Sequence, residues 1–123
     1  MRAKCLEELL VYQKASDDEV VAYLKRPSFR GNRRLHEQLG ASSERVGSLI
    51  AEGFGQDTDR HFASYLFRAR GSSKETRNQL RAATTRGHST ELERAKTSER
   101  DHEVERMLTS LADYLRRENR RRR

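Results

Sequence analysis

The chain has 123 residues, which fits a single domain. Apolar residues make up 33% of it and charged residues 37%, so no run approaches the ~18 apolar residues of a membrane span, and core material is scarce for a subunit standing alone. The single cysteine, Cys5, excludes an intrachain disulfide, and a net charge of +7 with a pI near 10.1 suits a phosphate-rich partner.

The N-terminus, Met1-Arg2-Ala3-Lys4, is followed too soon by Glu7 and Glu8 to form the apolar core of a signal peptide, so a cytoplasmic location is expected. A first helix is predicted from about Leu6 to Lys25, with Leu6, Leu10, Gln13, Val20 and Leu24 on one side. Asp17, Asp18 and Glu19 fall in its middle, and mid-helix Asp is unfavourable, so a bend or fraying is expected there. The helix ends at Arg26, because the residue before Pro27 is pushed out of helical geometry. Ser28 to Asn32 reads as a short loop.

A second helix is predicted from Arg33 to Phe54, where Leu35, Leu39, Ser42, Val46, Leu49 and Gly53 recur at steps of four and three. Its small residues, Gly40 to Ser43 and Gly47, suit either the close approach of a neighbouring helix or simple tolerance. The corner Gly53-Phe54-Gly55 predicts left-handed backbone at one of its glycines, and Asp57 or Thr58 caps the next helix. That third helix spans Asp59 to Thr85 and stops at Gly87, with Phe62, Leu66, Ala69, Ser73, Thr76, Leu80 and Ala83 as its seam. Thr90 followed by Glu93 is a capping box opening a fourth helix. The fourth helix is apolar from Val104 to Leu115 but nearly all polar from Arg94 to Arg100, where weak packing or a break is expected. Four helices on short loops predict an all-α, antiparallel up-down four-helix bundle over residues 1–115, and the arginine-rich residues 116–123 read as a disordered basic tail.

Catalytic and metal chemistry find little support. His36, His61, His88 and His102 lack partners at ligand spacing, and position 106, where a zinc-protease helix needs a second His after His102-Glu103, is Arg. Gly53-x-Gly55 lacks the preceding strand of a dinucleotide site. Ser72-Ser73-Lys74-Glu75 brings hydroxyls near an amine with no base or orienting group, and reads as packing. Glu52 and Glu75 lie close to the seams, where Arg68 or Arg70 could partner them or solvent could cover them. No cofactor or metal is expected, and no enzymatic activity. The more specific signal is basic: Arg70, Lys74, Arg77 and Arg81 form one stripe along the third helix, and Arg116, Arg117 and the terminal arginines Arg120 to Arg123 add to it. Arg60 lies upstream. No aromatic residues interleave to stack bases, so phosphate contact without sequence reading is the expected mode, and a merely solvated face is the alternative.

Several stretches resemble a known family. Leu9-x-Val11-Tyr12-Gln13-Lys14-Ala15 resembles the opening, and Ile50-Ala51-Glu52-Gly53-Phe54-Gly55 the central motif, of the four-helix bundle proteins first noted in intervening sequences of bacterial 23S ribosomal RNA genes. Phe62-x-x-Tyr65-Leu66-x-x-Ala69-Arg70-Gly71-Ser72-x-x-Glu75 with Gln79-Leu80 is similar to that family's third helix, and Arg106-Met107-Leu108 with Leu111 to its fourth. Gly47-Ser48-Leu49 and Gln56 depart from the family's pattern. The resemblance implies an antiparallel bundle that assembles with itself into a ring-like homo-pentamer. It establishes no catalysis. Distant relatives assist the reverse transcriptases of diversity-generating retroelements, which makes RNA, DNA or a nucleoprotein the implied partner. The function expected is thus a non-catalytic, oligomeric bundle binding nucleic acid or a nucleoprotein, with a purely structural or protein-interaction module as the alternative.

Overall fold

A computed structural model describes residues 5–121. All regular structure among them is helical. A 3₁₀ turn, Leu6–Glu8, leads into α1 (Leu10–Lys14) and α2 (Asp18–Leu24). A second 3₁₀ turn, Pro27–Gly31, connects to α3 (Arg33–Phe54), α4 (Asp59–Thr85) and α5 (Glu91–Arg121).

The long-range contacts give the topology. Along α4 and α5, Arg70 meets Thr109, whereas Arg77, further along α4, meets the earlier Glu105. Along α3 and α4, Arg45 reaches Glu75 while Gly53 abuts Tyr65. Lys14 of α1 pairs with Glu103 of α5, and Arg26, beyond α2, pairs with Glu93. Residue numbers rise on one partner as they fall on the other in every case, so neighbouring columns are antiparallel. With α1 and α2 stacked as the first column, the arrangement is the up-down four-helix bundle expected.

The seams of α3 and α4 are where the periodicity puts them. Leu35, Leu39, Ser42, Val46, Leu49 and Gly53 are buried in α3, and Leu66, Ala69, Ser73, Thr76, Leu80 and Ala83 in α4. They build two apolar clusters. One gathers Val46, Ile50, Leu66, Val104 and Leu108, and the other Val20, Phe29, Leu39 and Leu80. Between them runs a polar layer of Ser42, Ser73, Thr76, Thr97 and Glu105, all buried.

Four expectations are corrected. The single first helix from Leu6 to Lys25 is two: the bend expected at the acidic residues is a full break, with Ala15 leaving helical geometry and α2 restarting at Asp18. The break shifts the phase, so Val11, Val20 and Tyr23 are buried while Leu10 is 57% exposed and Gln13 faces solvent. Neither corner glycine has positive φ. Gly53 is helical, Gly55 has φ −82°, and the left-handed glycine is Gly87 at φ +80°. Gly53 is required for space instead, since a Cβ there would lie 2.7 Å from Tyr65 Cβ. The polar half of α5 is not broken either. Thr97 is fully buried, where its hydroxyl is 3.2 Å from Tyr23 Oη and donates to Glu19 at 3.0 Å. Finally, α5 continues from residue 116 to Arg121, where a disordered tail was expected. Arg121 pairs with Glu118, and cations in a last turn complement the negative end of the helix dipole. Residues 122 and 123 of that tail lie outside the described residues.

The caps match their local chemistry. Thr58 Oγ1 accepts from the His61 amide at 3.1 Å, and Thr90 and Glu93 exchange backbone-to-side-chain bonds of 2.9 and 3.1 Å.

Candidate nucleic-acid interface

The antiparallel pairing of α4 and α5 decides what each basic residue can do. Arg77 turns inward. Its Nε and Nη2 each donate to the Glu105 carboxylate at 2.8 Å, and Ser73 Oγ donates to the same carboxylate at 2.9 Å. The Arg77 bond and charge, with the Ser73 bond, hold the Glu105 carboxyl below its ordinary range although burial opposes them. Glu105 in turn raises the Arg77 guanidinium through the same bond. Arg77 is therefore an interhelical lock, and the stripe is interrupted at its middle.

Its neighbours differ. Lys74 is exposed. Arg81 is exposed and borders a groove shared with Glu91 and Arg94. The Glu91 carboxyl is held low first by its hydrogen bond to Arg94, with Arg81 adding to the effect, so that end of the stripe is partly neutralised. Arg70 donates to Thr109 Oγ1 at 3.0 Å, and its guanidinium lies 4.9 Å from the centre of the Phe67 ring. Arg116 approaches the same ring at 5.3 Å, and Arg117 is exposed. Of these six basic residues, Arg70 and Arg116 are thus brought together around Phe67. Lys74, Arg81 and Arg117 remain free of ion pairs among the described residues, and Arg77 is withdrawn.

Two further arginines of the expected basic surface, outside the stripe itself, meet here. Arg60 from the first turn of α4 and Arg120 from the last turns of α5 line a cleft with Ser64, Phe67, Arg116 and Asn119. The cleft has a volume of about 450 Å³, and no Asp or Glu is in its lining among the described residues. The spacing Arg60, Ser64, Phe67 is one helical face, and so is Arg116, Arg120. Each half was visible in the sequence, but their meeting depends on the register of α4 against α5.

The feature missed is the acidic centre. Glu52 is exposed and Glu75 pairs with Arg45 at 3.2 Å, so neither is the buried carboxylate of the bundle. That place is held by Glu105 and, beside it, Asp101. Burial pushes the Asp101 carboxyl from 3.8 up to about 7, a rise that Glu105 and Glu19 reinforce and that Arg100 and Arg77 oppose. One of its oxygens, Oδ2, is buried with no hydrogen-bond partner. Asp101 adjoins the stretch of α5 that looked too polar to pack, and Glu105 lies one turn further on, at the start of the apolar half.

The histidines are dispersed. His88 stacks on Phe29 at 4.3 Å, and His36 meets the same ring edge-on while its Nε2 lies 3.0 Å from the Leu24 carbonyl. Among the described residues no three His, Cys, Asp or Glu side chains converge as metal ligands, and no helix is long and apolar enough to cross a membrane.

An all-α up-down bundle with a polar layer across its middle and a strongly basic end is the class these features define. Within that class, the chain belongs to the 23S rRNA-intervening sequence protein family, whose sequence profile matches residues 7–110. No curated protein and no solved structure matches it.

Proposed function

We propose that this protein is a non-catalytic, oligomeric bundle of the cytoplasm that binds nucleic acid, RNA or DNA, or a nucleoprotein such as a reverse transcriptase complex. The observation that carries this reading is the cluster of arginines at the α4–α5 end, where Arg60, Arg116 and Arg120 share a cleft with no Asp or Glu in its lining among the described residues. Cations gathered without counter-charges repel one another, and a polyanion relieves that repulsion while releasing its own counterions. Arg70, Lys74, Arg81 and Arg117 extend the surface. The surface carries few exposed aromatics, so binding follows the backbone rather than the base sequence.

Self-association, into a ring-like homo-pentamer as the family resemblance implies, is the second part of the proposal. It is supported by apolar side chains left in solvent, Leu92 at 67%, Leu10 at 57% and Tyr114 at 42%. These same side chains favour the rival reading, a module for protein contacts alone.

The test is salt-dependent binding of single-stranded RNA and duplex DNA. Each neutralised phosphate contributes about −0.9 to the log–log salt slope on duplex and roughly −0.7 on a single strand. A slope of several units, equal for unrelated sequences, is expected. No retention at low salt would leave the protein-contact module as the function. Light scattering tests the assembly, and a monomer at micromolar concentration would refute it.

A further inference from the structure

We infer that the cleft between the first turns of α4 and the last turns of α5 receives the terminal phosphate of a nucleic-acid strand. This deepens the nucleic-acid reading above and rests on it.

Elsewhere the arginines near acids are matched: Arg26 with Glu93, Arg77 with Glu105, Arg94 with Glu91 and Arg100 with Glu19. Arg60, Arg116 and Arg120 have no ion pair among the described residues, yet the two helices bring them to one cleft. Glu118, between Arg116 and Arg120 in sequence, is turned to Arg121. The opposed dipoles of α4 and α5 largely cancel where a helix start meets a helix end, so the field at the cleft is that of its side chains, three guanidiniums against the carboxylate of Asp59 in the first turn of α4.

The lining then selects the anion. Three guanidiniums, the Ser64 hydroxyl and the Asn119 amide all can donate hydrogen bonds. A phosphodiester carries one negative charge, whereas a terminal phosphate carries about 1.5 to 2 at neutral pH and a third free oxygen. The cleft's donors therefore match a strand end better than a strand interior. Its size, about 450 Å³, falls among small-molecule sites, which span roughly 300–1,000 Å³. Phe67 gives it an apolar floor and holds Arg116 by a cation–π contact of 5.3 Å. A 5′-phosphate and a 3′-phosphate offer the same chemistry.

The experiment compares one short single-stranded RNA in three forms, with a 5′-phosphate, a 3′-phosphate or hydroxyls at both ends, by fluorescence anisotropy at physiological ionic strength. One phosphorylated form should bind about ten- to a hundredfold more tightly than the hydroxyl form, and which one it is assigns the end. Arg60→Gln with Arg120→Gln should abolish that preference as well as weakening all three forms, whereas Lys74→Gln with Arg117→Gln, outside the cleft, should weaken all three alike and keep the preference, with circular dichroism confirming the helices in both. On the wild-type protein, a nucleoside monophosphate should displace the phosphorylated RNA and the matching nucleoside should not. Equal binding of all three forms would overturn the inference and leave the general nucleic-acid reading standing. A preference that survives Arg60→Gln with Arg120→Gln would overturn it too, by placing the site elsewhere. No binding of any form would end both readings. Tighter capture by phosphoinositide vesicles than by phosphorylated RNA would give the cleft to a lipid headgroup instead.

Discussion

Replacing Asp101 by Asn should stabilise the protein, and by an amount that depends on pH. In the folded chain burial holds the carboxyl at about 7, against an ordinary value of 3.8. The neutral acid is thus the form that the fold accepts. Below pH 4 both folded and unfolded chains carry the proton and the residue contributes no pH dependence. As pH rises from 3.8 to about 7, the unfolded chain has released its proton and the folded chain keeps it. Stability therefore falls by about 1.36 kcal/mol for each pH unit in that window, and levels off above it. Between pH 5 and pH 8 the wild type should lose about 2 to 3 kcal/mol from this residue, while Asn, which does not titrate, loses none. The assay is urea denaturation of both proteins at pH 5 and pH 8. Taking the difference between the proteins at each pH removes the histidines and every other group they share, and the advantage of Asp101→Asn should grow by that amount at the higher pH. An advantage equal at the two pH values would refute the assignment of Asp101 as a buried acid.

Arg77→Gln should cost about 3 kcal/mol, because it strips a buried carboxylate of its partner, and should leave the salt slope of nucleic-acid binding unchanged; a reduced slope with normal stability would show that Arg77 reaches solvent phosphates. Gly53→Ala should destabilise by about 1 to 3 kcal/mol through overpacking against Tyr65, whereas Gly71→Ala, where a Cβ meets nothing within 4 Å, should stabilise by about 0.5 to 1 kcal/mol; thermal melts that rank the two the other way would contradict the helix contact. Glu93→Gln should remove stability that is present above pH 4.5 and lost as pH falls toward 2, since hydrogen bonds from Arg26 and Thr90 hold that carboxyl at about 2. With the side chains of Arg26 and Glu93 39% and 26% exposed, solvent screening limits the effect to about 1 kcal/mol at neutral pH, and acid denaturation curves that coincide for both proteins above pH 5 would rule it out.

What the sequence determined by itself was local. The limits of α3 and α4 follow from apolar and small residues at helical spacing, from Thr58 and Thr90 as caps, and from Gly87 as a stop. Each of these signals acts within about one turn, so a linear reading captures them. The apolar seams were legible for the same reason, and so was the membership of the family, through motifs that are themselves contiguous. Other assignments belonged to the tertiary structure. Gly53 looks like a turn glycine in isolation, and only the approach of Tyr65 shows that it makes room for a helix. The stretch from Arg94 to Arg100 looks unable to pack, and only Tyr23 and Glu19, more than seventy residues away, make Thr97 a core residue. Arg77 and Arg81 are equivalent by spacing, yet one is locked to Glu105 and the other is free because α5 covers one side of α4 and not the other. The cleft of Arg60, Arg116 and Arg120 joins two faces half the chain apart. Helical periodicity says which residues share a face, but the register between antiparallel helices, set by how their side chains interlock, decides which faces meet.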